Sequence, residues 1–182
     1  MDYKKLFGEL NKRLATKERY LTIICGGGFV LMINNIRATL DIDAFFEKDS
    51  WITEQIKAIG EEYQANTGDE LWLNSSIEIF NQQPPQEALK LFIKLSNLTV
   101  SVVTLEYLLG MKLFSAREKD IADAGEILKK LSIKDPIFVL KKYSDFDVDP
   151  SNVLWAFELA YNEEWISEYM ITNREQLQKY FR

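Results

Sequence analysis

Apolar positions recur along this chain with two different periods. Over residues 2–14, Tyr3, Leu6, Phe7, Leu10 and Leu14 fall on one face of a 3.6-residue repeat, which predicts an amphipathic helix. Leu21-Thr22-Ile23-Ile24-Cys25 is a short β-rich run that stops at Gly26-Gly27-Gly28, which predicts a buried strand. A helix follows from Phe29 to Ile36, starting in or just after the glycines. Leu40 to Phe46 alternates Leu40, Ile42 and Ala44 against Asp41 and Asp43, the two-residue period of a strand with both carboxylates on one face. Residues 50–63 read as a helix with Ser50 as its N-cap and Ile52, Ile56 and Ile59 on one face. Leu71 to Phe80 is ambiguous, with strand-like alternation over Ser76 to Phe80, and Gln82-Gln83-Pro84-Pro85 is a loop.

Leu98 to Val103 predicts a strand. Thr104 caps a following helix that carries Glu106, Leu108, Leu109, Lys112 and Leu113. A further helix runs from about Arg117 to Leu131. After Asp135-Pro136 the pattern is helical, broken from Asp145 to Pro150, with Asp149-Pro150-Ser151 starting the segment that contains Trp155 to Met170. Strands among helices come first, then helices alone. The fold class expected is therefore α+β, with a helical C-terminal region.

Composition narrows the chemistry. The chain has 182 residues, 47% of them apolar and 27% charged, enough for one domain or one domain with a small helical appendage. There are no histidines. That excludes a histidine general base, histidine-ligated zinc and every Ser–His or Cys–His nucleophile pair. An enzyme here must use carboxylates, Lys, Arg, Tyr, Ser or Thr, and a hard metal is expected beside them. The net charge of −6 removes whole-molecule attraction to nucleic acid, leaving only a local basic patch as a means of binding it. The longest apolar stretch, Leu21 to Ile36, is broken by the three glycines and by Asn34-Asn35, so no membrane span is expected. The single cysteine, Cys25, and the lack of a secretory core after Met1 point to the cytoplasm.

Three features stand close together: the glycines after the first strand, Arg37 with Thr39, and Asp41-Ile42-Asp43. Glycines between strand and helix let backbone N–H groups approach a phosphate. Paired aspartates can hold Mg²⁺ through oxygen ligands, and an arginine can neutralise phosphate charge bidentately. Polyphosphate, divalent metal and paired carboxylates together suggest phosphoryl or nucleotidyl transfer. The glycine run lacks both the dinucleotide-binding and the P-loop spacing.

Gly26-Gly27 followed by Arg37-Ala38-Thr39-Leu40-Asp41-Ile42-Asp43 resembles the signature of the nucleotidyltransferase-like fold. Within that fold it looks like the AbiEii-type toxins and related small bacterial nucleotidyltransferase-like proteins. The stretch from Tyr107 to Asp123, with Lys112, Arg117, Asp120 and Asp123, is similar to a second motif of that group. The two stretches cover about a fifth of the chain. The resemblance implies a nucleotidyltransferase-like core over residues 1–131, a small mixed sheet flanked by helices; it does not reach the C-terminal end, where the helical pattern leads us to expect an extension over 132–182 packed on that core.

It also implies Mg²⁺ (or Mn²⁺) and the phosphates of a nucleoside triphosphate at Asp41 and Asp43, with Gly26 and Gly27 lining the phosphates. Lys112 would offset the nucleotide's charge, and Arg37, Thr39, Arg117 and Asp123 would support the pocket. Asp120 would be a base or an organiser of the site. A third metal carboxylate on a later strand would be Glu78. The implied reaction moves a nucleoside monophosphate to a hydroxyl of RNA (a tRNA end especially), protein or a small molecule. A toxin–antitoxin or phage-defence role, and a protein partner, follow by analogy alone.

Plainer readings stand beside these. Lys112 follows an apolar run and can be a snorkelling surface lysine. Arg117 with Asp120 is also the spacing of a helix-surface ion pair. Cys25 reads as a small buried hydrophobe. The aromatics Trp155, Phe157, Tyr161, Trp165 and Tyr169 read as packing rather than base stacking. Asp145, Asp147 and Asp149 read as a helix-start loop. The alternative to an enzyme is a catalytically inactive module of the same fold that binds a nucleotide or a protein partner.

Overall fold

The computed structural model describes residues 2–68, 70–75 and 83–181, arranged as two compact units, Met1–Thr104 and Leu105–Arg182. The first unit is α+β. Among the described residues its mixed sheet has five strands in the order β3-β2-β1-β5-β4, made of β1 (Leu21–Cys25), β2 (Ile42–Phe46), β3 (Leu73–Asn74), β4 (Leu89–Lys94) and β5 (Leu98–Val103). The central strand β1 runs antiparallel to β2 and parallel to β5. All of its residues but the exposed Thr22 are buried, so it reads as a nearly continuous apolar run rather than an alternation.

Helices α1 (Tyr3–Thr16), α2 (Gly27–Ile33) and α3 (Ser50–Glu62) belong to this unit. The five residues expected to form the buried face of α1 are all buried. Phe7, Phe29 and Trp72, none of them exposed, meet edge to face: Phe7 is 5.5 Å from Trp72 and 6.5 Å from Phe29 between ring centroids. Such rings each bury 150–250 Å² or so, which makes them the anchor of the unit. The Trp72 indole donates to the Ile56 carbonyl at 2.9 Å, so its one polar atom is satisfied in the core.

Several local expectations are corrected. The second strand begins at Ile42, not Leu40. Leu40 is 64% exposed, while Ile42 and Ala44 are fully buried. The N-cap of α3 is Asp49, whose carboxylate accepts from the Ile52 N–H at 2.8 Å; Ser50 is already helical. β4 was not expected from the sequence. Of its residues Leu89-Lys90-Leu91-Phe92-Ile93-Lys94, three are exposed and three half-buried, and pairing with β5 across a bulge between Leu91 and Ile93 makes them a strand. The proposed strand at Ser76–Phe80 lies outside the described residues.

The second unit is helical: α4 (Leu105–Ser115), α5 (Glu118–Leu131), α6 (Pro136–Lys142), α7 (Pro150–Tyr161), α8 (Glu163–Thr172) and α9 (Arg174–Leu177). The stretch expected as one helix to Met170 is two, divided at Asn162, whose φ of +92° breaks the helical path and whose side chain caps α8. Asp149 caps α7 through the Ser151 N–H at 2.7 Å, so the acidic run is a helix-start loop. Phe157, Trp165 and Tyr169 stack on one another at 5.9 and 5.6 Å between centroids. These aromatics are one another's packing partners.

Candidate active site

The glycine turn and the aspartate stretch meet in the first unit. Antiparallel pairing of β1 with β2 puts Cys25 opposite Ala44, and one residue later the Gly26 N–H donates to the Asp43 carbonyl at 2.9 Å. Gly27 has φ +53°, a left-handed conformation that any other L-residue adopts only with strain. A Cβ on Gly27 would lie 2.6 Å from Asp43 Oδ2. One on Gly28 would lie 2.7 Å from Thr39 Oγ1 and 3.4 Å from Arg37 Nη1. The glycines therefore have an intramolecular use. They let Asp43, Thr39 and Arg37 lie directly against the backbone of the turn.

Asp41 sits in the bend before β2 and is held by side chains rather than by the sheet ladder. Thr39 Oγ1 donates to Asp41 Oδ1 at 2.9 Å, and Asn74 Nδ2 donates to Oδ2 at 3.3 Å. The loop is tied down by the Tyr3 hydroxyl, which donates to the Thr39 carbonyl at 2.9 Å. Burial first, and the negative charge of Asp41 second, raise the Tyr3 hydroxyl above its ordinary range, so it stays a neutral donor. Ile42 is fully buried between two half-buried aspartates, so the sheet supplies the rigidity and leaves both carboxylates accessible. Arg37 is exposed, and its Nη1 donates to the Ala38 carbonyl at 3.1 Å.

Asn74 was missed in the sequence. A search for metal-binding carboxylates passes over a neutral amide, and a two-residue strand leaves no periodicity to find. Glu78, the expected third carboxylate, lies outside the described residues. Among the described residues no group of three or more Cys, Asp or Glu side chains converges as a metal cluster. Asp41 and Asp43 contribute a pair.

The second stretch builds a buried ion network within the helical unit. Lys112 extends from α4, which is apolar on nearly all sides, and is only 7% exposed; Asp120 and Asp123 on α5 are 0% and 6% exposed. Lys112 Nζ pairs with Asp120 Oδ1 and lies 2.9 Å from Asp123 Oδ2. Asp120 Oδ2 also accepts from Ser115 Oγ at 2.8 Å and from Arg117 Nε at 2.5 Å. Lys112 is thus not a snorkelling surface lysine, and the Arg117–Asp120 pair has one fully buried member. Two cations balance two anions. Burial alone would raise the Asp120 carboxyl, but the hydrogen bonds from Arg117, Lys112 and Ser115, with the lysine's charge, outweigh it and hold the group ionised below its usual range. Cys25 is buried, and that burial pushes its thiol far above its ordinary value, consistent with a packing role.

Among the described residues no helix is long and apolar enough to cross a membrane. No curated protein and no solved structure matches the chain. A model of the family described as nucleotidyltransferase of unknown function (DUF6036) matches residues 2–165, a span that includes the glycine turn, Asp41, Asp43 and the Lys112-to-Asp123 stretch. The match is at the level of this family and says nothing of the AbiEii toxins. Matched over most of its length, and with the α+β fold that the resemblance implied, the chain belongs to this nucleotidyltransferase family.

Proposed function

We propose that the protein is a divalent-cation-dependent nucleotidyltransferase that moves a nucleoside monophosphate from a nucleoside triphosphate to a hydroxyl acceptor. The observation that carries this reading is the convergence of Asp41, Asp43, Thr39 and Arg37 beside a glycine turn whose left-handed Gly27 lies directly against Asp43. The donor set fits Mg²⁺ or Mn²⁺: two carboxylates with a hydroxyl beside them are hard oxygen ligands. Each Asp41 oxygen accepts one hydrogen bond from a side chain and retains further acceptor capacity.

Asp41 and Asp43 would hold the cation, which would supply charge stabilisation to the phosphate oxygens. Arg37 would offset further phosphate charge, and Gly26 and Gly27 would line the phosphates. The acceptor hydroxyl oxygen bonds to the α-phosphorus, the bond from that phosphorus to the bridging oxygen breaks, and pyrophosphate leaves with the electron pair. Asp43 is the base assigned to the hydroxyl proton, because Asp120 is fully buried and already engaged by three donors. Lys112, Arg117, Asp120 and Asp123 hold α4 to α5 in this reading.

The acceptor is an RNA end, a protein hydroxyl or a small molecule. At a net charge of −6, an RNA acceptor would need a local basic surface. A role in toxin–antitoxin or phage-defence systems in a bacterial cytoplasm is part of the same proposal, by analogy. A second reading, nucleotide binding without turnover, is favoured by one observation: the described site offers two carboxylates and a neutral amide. The test incubates the protein with each labelled nucleoside triphosphate, Mg²⁺ or Mn²⁺, and total RNA and protein. Label transfer by the wild type that D41N and D43N abolish supports the enzyme. Equal inactivity of all three under every condition overturns it, and calorimetric binding of nucleotide by that inactive wild type establishes the binding module.

A further inference from the structure

We infer that Asn74 is a positioning residue of the cation site, orienting Asp41 by donating from its side-chain amide. This rests on the reading of Asp41 and Asp43 as cation ligands. Two observations bring Asn74 there, and one chemical argument orients it. Parallel pairing of β2 with β3 makes Asn74 the partner of Asp43. Its Nδ2 donates to Asp41 Oδ2 at 3.3 Å, so one side chain stands beside one aspartate and bonds the other. The orientation of that amide is set by chemistry, since an ionised carboxylate only accepts and the NH₂ end must face it.

The base from which Asn74 acts is rigid. Trp72 and Leu73, just before it, are fully buried. The Trp72 carbonyl accepts from the Ile42 N–H at 2.8 Å, its N–H donates to Asn66 Oδ1 at 3.1 Å, and its indole donates to Ile56. Thr39 grips Asp41 on its other oxygen. The carboxylate is therefore clamped from two sides by two neutral donors anchored on different elements. A neutral clamp orients the ligand and leaves the site with two negative charges. A carboxylate at position 74 could not donate, and would add a third charge beside the first two.

The test measures Mn²⁺ binding by electron paramagnetic resonance and the thermal midpoint with and without Mn²⁺, on the full chain, for wild type, D43N, N74A and N74D. Loss of an outer partner of a metal ligand weakens affinity by about 10- to 100-fold. The expected result is that N74A weakens Mn²⁺ binding at least about tenfold while remaining folded. N74D should melt below wild type without metal, because it replaces the donor to Asp41 by a third negative charge beside the two aspartates. If D43N loses Mn²⁺ binding but N74A binds as wild type does, the assignment of Asn74 is overturned and the cation site stands. If wild type and D43N bind Mn²⁺ indistinguishably, the cation site itself fails, and Asn74 with it. Should N74A not fold, N74D decides: a metal-free melting temperature equal to that of wild type means that Asn74 donates nothing to Asp41, and overturns the inference.

Discussion

Replacing Gly27 with alanine tests whether the glycine turn exists to admit Asp43. At φ +53° an alanine is strained by roughly 1–2 kcal/mol. Its Cβ would also stand 2.6 Å from Asp43 Oδ2, closer than real contacts allow, so the Asp43 side chain must leave its rotamer at a cost of about 0.5–1.5 kcal/mol. Alanine restricts the unfolded chain and recovers about 0.4–1 kcal/mol. The net loss expected is about 2 kcal/mol, read from urea denaturation followed by circular dichroism. The two contributions separate in a double-mutant cycle. D43A removes the colliding oxygen and leaves only a tight contact at 3.2 Å to the Asp43 Cβ, so G27A should cost about 1 kcal/mol less in that background. D43N keeps the shape of the side chain and should give no relief. Equal relief from D43A and D43N, or a G27A protein as stable as wild type, would refute the argument that close approach of Asp43 demands this glycine.

Other consequences are simpler to read. K112M takes from buried Asp120 one of its two cations, leaving Arg117, and from Asp123 the ammonium 2.9 Å away, and should lower stability by about 3 kcal/mol in the same denaturation assay, since a buried carboxylate loses an ion-pair partner. Because the Asp120 carboxyl is held below its ordinary value, the stability it contributes is present above that value and is lost as pH falls through the lowered one. Melting temperature should therefore decline below about pH 4 in wild type, and more gently in D120N. Cys25 should resist a thiol-reactive disulfide reagent in the native protein near pH 8 and react fully once urea unfolds it, because burial both shields the thiol and keeps it protonated.

What could be read from the chain alone was whatever a local pattern controls. Helix α1, strands β1 and β5, and the helix after Arg117 follow from apolar periodicity and from glycine and proline punctuation, which act over a few residues. The pairing of a glycine turn with Asp41 and Asp43 was legible for the same reason, since a strand ending in glycines and an alternating aspartate pair are short-range signals. The tertiary structure decided the rest. β4 exists because β5 offers it backbone partners, and a half-exposed sequence carries no sign of that. Lys112 is buried because two aspartates on the next helix, eight and eleven residues along the chain, come back to meet it, and charge compensation across helices is invisible to apolar periodicity. Asn74 joins Asp41 across 33 positions through a two-residue strand, so only the register of the sheet could place it there.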